Sequence, residues 1–256
     1  SGGVFVAIHS GIGRSSSLLT RLRIDGTTVV RDTIRTGANA FAIQRAHDAS
    51  MWWGVARNFD SGAPPLLERW RNGSVATFDL GLEGWTSDPR AIVPLATGGA
   101  VVASSSGREV LFVRDDGSTR PVGALSGKSG TFTAGGEDAR GRILLARGDE
   151  IAVLERNASV EPDDWSLGFI TNADGLVGNE VVDILETRSG GSDPGIGTTG
   201  RELWFATDNG IAVQGDQPWL TFRCASGSFG ASICGFSGAE NIRTIATTAS
   251  GETWFG

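Results

Sequence analysis

Three acidic residues lie in short apolar stretches of the chain, where they have the chemistry for acid–base work: Glu137, Asp183 and Glu186. Glycoside hydrolysis needs two carboxylates flanking a scissile bond, and ring-shaped β folds can supply them from strands around a central channel. Arg45 and Arg243 lie on comparable stretches and would add cationic partners. Asp183 stands between Val182 and Ile184, so on a strand its carboxyl points away from both neighbours. The plainer role for such a carboxylate is a buried hydrogen bond between sheet elements. Trp70, Trp85, Trp165 and Trp219 fall away from the most apolar runs, and Trp85 and Trp165 fall in connections. There a ring can stack on a sugar or pack under an outer strand. The candidate binding residues are therefore Arg45, Asp183, Arg243, Trp85 and Trp165, with no catalytic set assigned.

Other local patterns carry less. VGALSGKSG at Val122–Gly130 has the glycines and lysine of a phosphate loop. However, Gly123 stands too close to Gly127, and the strand-like TFTAGGE follows where a helix start is needed. His9 and His47 have no nucleophile-elbow sequence beside them and read as surface residues. Asp115-Asp116, Asp163-Asp164 and Asp208-Asn209 are possible calcium ligands, but Asp and Asn more often cap their own turns. Two histidines and two cysteines never cluster, so neither a metal site nor a cofactor is expected. Cys224 and Cys234 flank the Gly/Ser-rich ASGSFGASI. An even number and a short loop favour a disulfide and an oxidising compartment, the alternative being two buried thiols.

The formal net charge is −7, and the only lysine is Lys128. With no basic cluster, the chain lacks the footprint of a nucleic-acid binder. The arginine bias fits a GC-rich, bacterial genome. Hydrophobic residues make up 39% of the chain, enough for a core, and 38 glycines imply many tight turns. No apolar run approaches a membrane span. The chain opens at Ser1 without an initiating Met or a signal-peptide pattern, and reads as a mature form or an excised piece.

The elements that would position these residues repeat. Hairpin-type turns occur in LRIDGTTVV, RWRNGSVATF, FVRDDGSTRPV, VLERNASVEP and IAVQGDQPW. A second landmark, a turn followed by an apolar strand, keeps step: GGVFVAI, ASMWWGV, GGAVVAS, RGRILLA, GRELWFAT and SGETWFG. A third strand precedes it in AFAIQRA, AIVPLA, TFTAGGE, VVDILET and IRTIATT. Four short strands per period of roughly 40–50 residues define a blade of a β-propeller. The units read 1–37, 38–88, 89–128, 129–173, 174–240 and a partial 241–256. Trp52, Trp53, Trp204 and Trp254 fall on second strands, placed to fill the wedge between blades. Gly26, Gly73 and Gly117 are expected at equivalent hairpin positions with positive φ. The alternatives are a β-sandwich and a closed five-bladed ring in which 242–248 pairs beside Val4–Ile8. Entry at a second strand, and a last motif cut at Gly256, favour part of a longer propeller. Such a piece would expose strand edges and self-associate when isolated. Two segments, 188–200 and 222–238, break the period and form the most distinctive loops.

The run GLVGNEVVDILET, then GRELWFATDNGIAV, resembles the repeat of the two-component-regulator propeller family. Matching positions are Gly175, Leu176, Asn179, Ile184, Glu186, Gly200, Leu203, Trp204, Phe205, Thr207, Asn209, Gly210 and Ile211. The end of the chain matches again through Asn241, Ile245, Gly251, Trp254, Phe255 and Gly256, and EDARGRILLA is a weaker copy. The first three units match in outline only, and the insertion after Glu186 departs from the pattern. The resemblance implies an extracytoplasmic propeller, periplasmic, secreted or at the cell surface, of the kind that serves as a sensor domain. The expected role is a non-catalytic interaction or sensory module for a protein or glycan ligand. The alternatives are a secreted glycan-acting enzyme or a lectin.

Overall fold

The computed structural model describes residues 4–8, 18–25, 27–36, 40–56, 64–83, 85, 87–107, 109–125, 130–157, 164–188, 201–215, 219–223, 244–247 and 253–255. Strands β1 (Val4–Ile8), β2 (Leu18–Asp25) and β3 (Thr28–Thr36) form a three-stranded sheet in sequence order. Four four-stranded sheets follow. They are β4 (Ala40–Arg45), β5 (Met51–Val55), β6 (Leu66–Arg71) and β7 (Ser74–Asp79); then β8 (Pro89–Pro94), β9 (Ala100–Ser104), β10 (Val110–Val113) and β11 (Thr119–Pro121). The next are β12 (Phe132–Glu137), β13 (Ile143–Arg147), β14 (Glu150–Arg156) and β15 (Trp165–Ile170); then β16 (Val181–Arg188), β17 (Arg201–Thr207), β18 (Gly210–Gln214) and β19 (Leu220–Arg223). A hairpin of β20 (Ile245–Thr247) and β21 (Thr253–Phe255) comes last.

Every strand pair is antiparallel, and the helices among the described residues are short 3₁₀ turns such as Asn172–Asp174. Each sheet presents its first strand to its neighbours: β8 touches both β4 and β12, β12 touches β16, and β16 touches β20. Sheets that meet along their first strands and run outward in sequence order are propeller blades. Among the described residues β20 pairs with β21 and β1 with β2, so the β1–β20 pairing of a five-bladed ring does not form.

The blades are apolar on both faces because each is sandwiched, and adjacent residues of one strand serve different junctions. On β13, Ile143 and Leu145 pack toward the β8–β11 blade with Val93, Val101 and Phe132. Leu144 and Ala146 pack toward the β16–β19 blade with Ile184 and Phe205. The Trp52-Trp53 pair divides in the same way. Trp52 packs with Phe78 and Trp85, its ring 5.5 Å from that of Phe78 and stacked, while Trp53 packs with Leu19 and Ala40. The Trp53 indole N–H donates at 2.8 Å to Glu68 Oε2, so this fully enclosed ring does not leave a polar atom unpaired. Trp204 is half-buried, whereas Trp254 is 63% exposed and fills no wedge among the described residues.

The Asn72-Gly73 turn joins β6 to β7 with φ of 51° and 87°, both left-handed as a two-residue type I′ hairpin requires. Gly117, at φ 88°, differs. It closes a three-residue loop in which its N–H donates to the Arg114 carbonyl at 3.0 Å and the Arg114 N–H donates to the Ser118 carbonyl at 2.8 Å. The two glycines thus share a conformation but occupy different turn types, and Gly26 lies outside the described residues. A Cβ on Gly73 would meet no atom within 4 Å, so a side chain there is opposed by backbone strain alone. Gly73→Val is expected to cost about 1–2 kcal/mol. Gly168→Val, on outer strand β15 where a Cβ also meets nothing, should leave the melting temperature unchanged or raise it.

Candidate functional site

The inner-strand carboxylates are taken up by backbone amides of adjacent blades. Strand pairing sets Arg45 opposite Met51, Glu137 opposite Ile143 and Glu186 opposite Leu203, which puts Arg45, Glu137 and Glu186 at one level. Glu186 Oε1 accepts the Ala139 N–H at 2.8 Å, and Glu137 Oε2 accepts the Ala96 N–H at 2.5 Å. Each reaches back to the turn that follows the preceding blade's first strand. Glu137 Oε1 also accepts from Arg156 Nη2 at 2.5 Å, and His47 Nε2 stands 3.6 Å from Oε2. Asp183 reaches forward instead. Its Oδ2 accepts the Ile245 N–H at 2.8 Å and the Thr244 hydroxyl at 3.1 Å, while Oδ1 accepts the Ile184 N–H at 2.9 Å. Arg45 is exposed at the end of β4, and Arg243, Cys224 and Cys234 lie outside the described residues.

Burial raises the Asp183 carboxyl above its ordinary range, against the opposing hydrogen bonds from Ile245, Thr244 and Ile184. The folded chain therefore holds this proton where the unfolded chain, at about 3.8, has released it. Stability contributed at this site is full below that value and falls as pH rises through the folded pKa. Urea titrations at several pH values should show wild type losing ground to Asp183→Asn as pH rises from below 4 toward neutrality. A wild type that gains on the variant with rising pH would contradict the assignment.

The sugar-stacking expectation for Trp85 and Trp165 is corrected by their burial. Trp85 is 3% exposed within the core between the second and third blades, and Trp165 is 5% exposed with its ring 5.7 Å from that of Phe112. Neither ring offers a free face. Of the acidic pairs, Asp116 caps its own turn, its Oδ1 accepting the Ser118 N–H at 2.8 Å, while Asp115 Oδ1 pairs with Arg69 and accepts the Gly99 N–H at 3.3 Å; Asp163 lies outside the described residues. Among the described residues, no three His, Cys, Asp or Glu side chains gather as a metal would require.

The feature that motif reading misses lies at the opposite ends of the inner strands. Here each second strand turns into the third, and pairing makes Val55, Ser104, Arg147 and Thr207 equivalent, opposite Ala40, Pro89, Phe132 and Val181. Ser104 and Thr207 are small and fully enclosed, and the Thr207 hydroxyl donates to the Gly210 carbonyl at 2.9 Å. Arg147 puts a guanidinium in the same place at 7% exposure. It pairs with Glu150 through Nη2, lies 5.9 Å over the Phe132 ring, and has no partner for Nη1. Burial lowers its affinity for its proton.

The neighbouring position varies among the blades, with Ala56, Ser105, Gly148 and Asp208. In the β16–β19 blade, Asp208 Oδ1 accepts the Asn179 N–H at 2.7 Å and the Glu180 N–H at 3.2 Å, and the Asp208 N–H donates to the Glu180 carbonyl at 3.0 Å. In the β12–β15 blade the residue at the register position of Asp208 is Gly148, whose left-handed φ of 59° gives a different turn, and a Cβ there would meet nothing within 4 Å. Among the described residues, no acceptor engages the matching N–H groups of Gly130 and Thr131. A cavity of about 420 Å³ lies there, lined by Gly130, Thr131, Arg147 and Gly148, with Asp149 and Glu180 among its acidic walls.

No protein-family model and no curated protein sequence matches the chain. Solved structures do, through the fold. Virginiamycin B lyase from Staphylococcus aureus aligns with a TM-score of 0.61 at 12% identity, over 99% of this chain and 82% of that one. The extracellular domain of a protein described as a hybrid two-component system from B. thetaiotaomicron aligns with a TM-score of 0.60 at 13% identity, over 98% of this chain and 32% of that one. A chain of a nidogen/laminin complex aligns with a TM-score of 0.59 at 11% identity, over 94% of this chain and 82% of that one. The chain is an all-β propeller of four-stranded blades.

Proposed function

We propose that this propeller is a non-catalytic recognition module working outside the cytoplasm. The observation that carries the reading is the occupation of the inner-strand carboxylates. Glu137, Asp183 and Glu186 each accept backbone N–H groups from another blade or turn, and so act as clasps. A glycosidase would need two carboxylates facing one substrate bond, one of them able to give a proton to it. The extracytoplasmic setting is supported by the likeness to an extracellular domain and by the sequence resemblance to sensor propellers. Among the described residues no helix is long and apolar enough to cross a membrane. The likeness to a lyase is one of fold at 12% identity and transfers no activity.

The test is to incubate the full chain with a panel of bacterial and plant polysaccharides and oligosaccharides and follow products by mass spectrometry. Thermal shift on a broad metabolite and glycan panel runs in parallel. A ligand that raises the melting temperature without turnover supports the reading. Product formation that disappears in Glu137→Gln, Asp183→Asn or Glu186→Gln overturns it.

A further inference from the structure

We propose that Asn72 is the site of a spontaneous backbone modification, in which its side-chain amide is converted through a cyclic imide to aspartate and isoaspartate at the tip of the β6–β7 hairpin.

The chemistry needs a carboxamide one residue before an amide nitrogen that no side chain shields, and Gly73 supplies that nitrogen. The nitrogen must be free, and among the described residues no acceptor engages the Gly73 N–H. Water must reach the pair, and Asn72, Gly73 and Ser74 are all exposed. In the first step the deprotonated Gly73 nitrogen bonds to Cγ of Asn72, the Cγ–Nδ2 bond breaks, and ammonia leaves. Water then opens the imide at either carbonyl. Attack at Cγ restores the main chain and leaves aspartate. Attack at the main-chain carbonyl leaves the chain running through Cβ and Cγ, one atom longer, as isoaspartate. Water is the only co-reactant, and no oxidant or reductant enters.

The folded turn holds the reaction back. In a type I′ turn the first central residue takes ψ of about 30°, which sets the Gly73 nitrogen anti to Cβ and away from Cγ. The tip therefore opens before it reacts, and little opposes the opening. The hairpin forms the outer edge of its blade, Arg71 and Ser74 are the last pair of its ladder, and a Cβ on Gly73 would meet nothing within 4 Å. Exposed terminal pairs of this kind open at low free energy.

The chain's second Asn-Gly pair, Asn209-Gly210, is held differently. The Asn209 N–H donates to the Thr207 hydroxyl oxygen at 3.2 Å, and that hydroxyl donates to the Gly210 carbonyl at 2.9 Å. Gly210 is buried and pairs with Thr207 on one side and Arg223 on the other. Releasing it unpairs β18 from two strands, so Asn209 is protected where Asn72 is not.

The two products act differently on the fold. Aspartate tolerates the left-handed conformation that Asn72 holds at φ 51°, and adds one negative charge. Isoaspartate lengthens the main chain, and a two-residue turn then cannot keep Arg71 opposite Ser74. Arg71 Nε stands 3.4 Å from Asp48 Oδ2, so losing the register also loosens this hairpin from the β4–β5 turn.

The experiment incubates the full chain at physiological temperature, at neutral pH and above it, and maps the products by mass spectrometry after low-pH proteolysis. Electron-transfer fragmentation separates isoaspartate from aspartate. A synthetic peptide spanning Arg69–Phe78 reports the unfolded rate. Conversion at Asn72 should rise with pH, run slower than in the peptide, and outpace Asn209 by about tenfold or more. Asn72→Asp carries the charge without the extra atom, and should melt with unconverted wild type. The isoaspartate form, separated by ion exchange, should melt lower than both. An Asn72 that stays intact while the peptide converts overturns the inference, as does conversion of Asn209 at the same pace. Conversion as fast as in the peptide would overturn the folded turn as the brake, and an isoaspartate form that melts with Asn72→Asp would overturn the loss of register.

Discussion

Glu137→Ala is expected to lower folding stability by about 3–5 kcal/mol, the usual result of removing one partner of a buried charged pair. The Glu137 side chain is 3% exposed and joins three blades at once. It accepts from Arg156 on its own blade and from the Ala96 amide of the preceding one, and it faces His47 from the blade before that. Truncation leaves the Ala96 N–H without its acceptor and Arg156 without its carboxylate. Arg156 keeps bonds to the Thr97 hydroxyl at 2.7 Å and the Gly141 carbonyl at 3.2 Å, which places the loss toward the lower end of that range. Glu137→Gln keeps an acceptor and the shape, and should cost clearly less. Urea unfolding of both variants measures the difference. A loss below about 1 kcal/mol for the alanine variant would mean that the carboxylate is not a clasp and is free for chemistry.

The strands and their order were legible because burial on both faces leaves a plain mark. Val101-Val102-Ala103 and Leu144-Leu145-Ala146 cannot alternate with polar residues when neighbouring blades cover both sides. Glycine placed the turns, since Gly73 and Gly117 both take positive φ, but it could not tell a two-residue turn from a bulged three-residue one. That difference depends on how the strands on either side pair. Trp85 and Trp165 were misread for a related reason. A residue between the most apolar runs looks exposed in sequence, yet Trp85 lies in a connection that folds over a wedge, and Trp165 opens strand β15 and turns its ring into the next one.

The cavity beside Arg147 leaves no motif in the sequence. Arg147 matches no motif, and what marks it is a guanidinium buried at a strand end where the other blades carry a smaller uncharged residue. Aligning the second-strand ends GVA, ASS, ARG and ATD at Gly54, Ala103, Ala146 and Ala206 shows an arginine where the other blades carry valine, serine and threonine. For Asp183, by contrast, the sequence pointed to both outcomes. Its position between two apolar residues predicted a carboxyl directed away from them, and the bonds to Thr244 and Ile245 give it the plainer of its two roles.

Leu144 and Leu145 should separate the two junctions of one blade. Both are completely buried, and either change to alanine is expected to cost about 2–5 kcal/mol from lost burial and the cavity left behind. The residues are adjacent in the chain, but Leu145 packs against Val93 and Val101 in the preceding blade, and Leu144 against Ile184 and Phe205 in the following one. In a stacked repeat each blade is stabilised by its neighbours, so damage should spread first across the junction that was cut. Hydrogen exchange is the discriminating measurement. Leu145→Ala should speed exchange in β8 and β9 more than in β16 and β17, and Leu144→Ala should do the reverse. Equal acceleration on both sides would mean that the blades open together as one cooperative unit, with no separable interface between them.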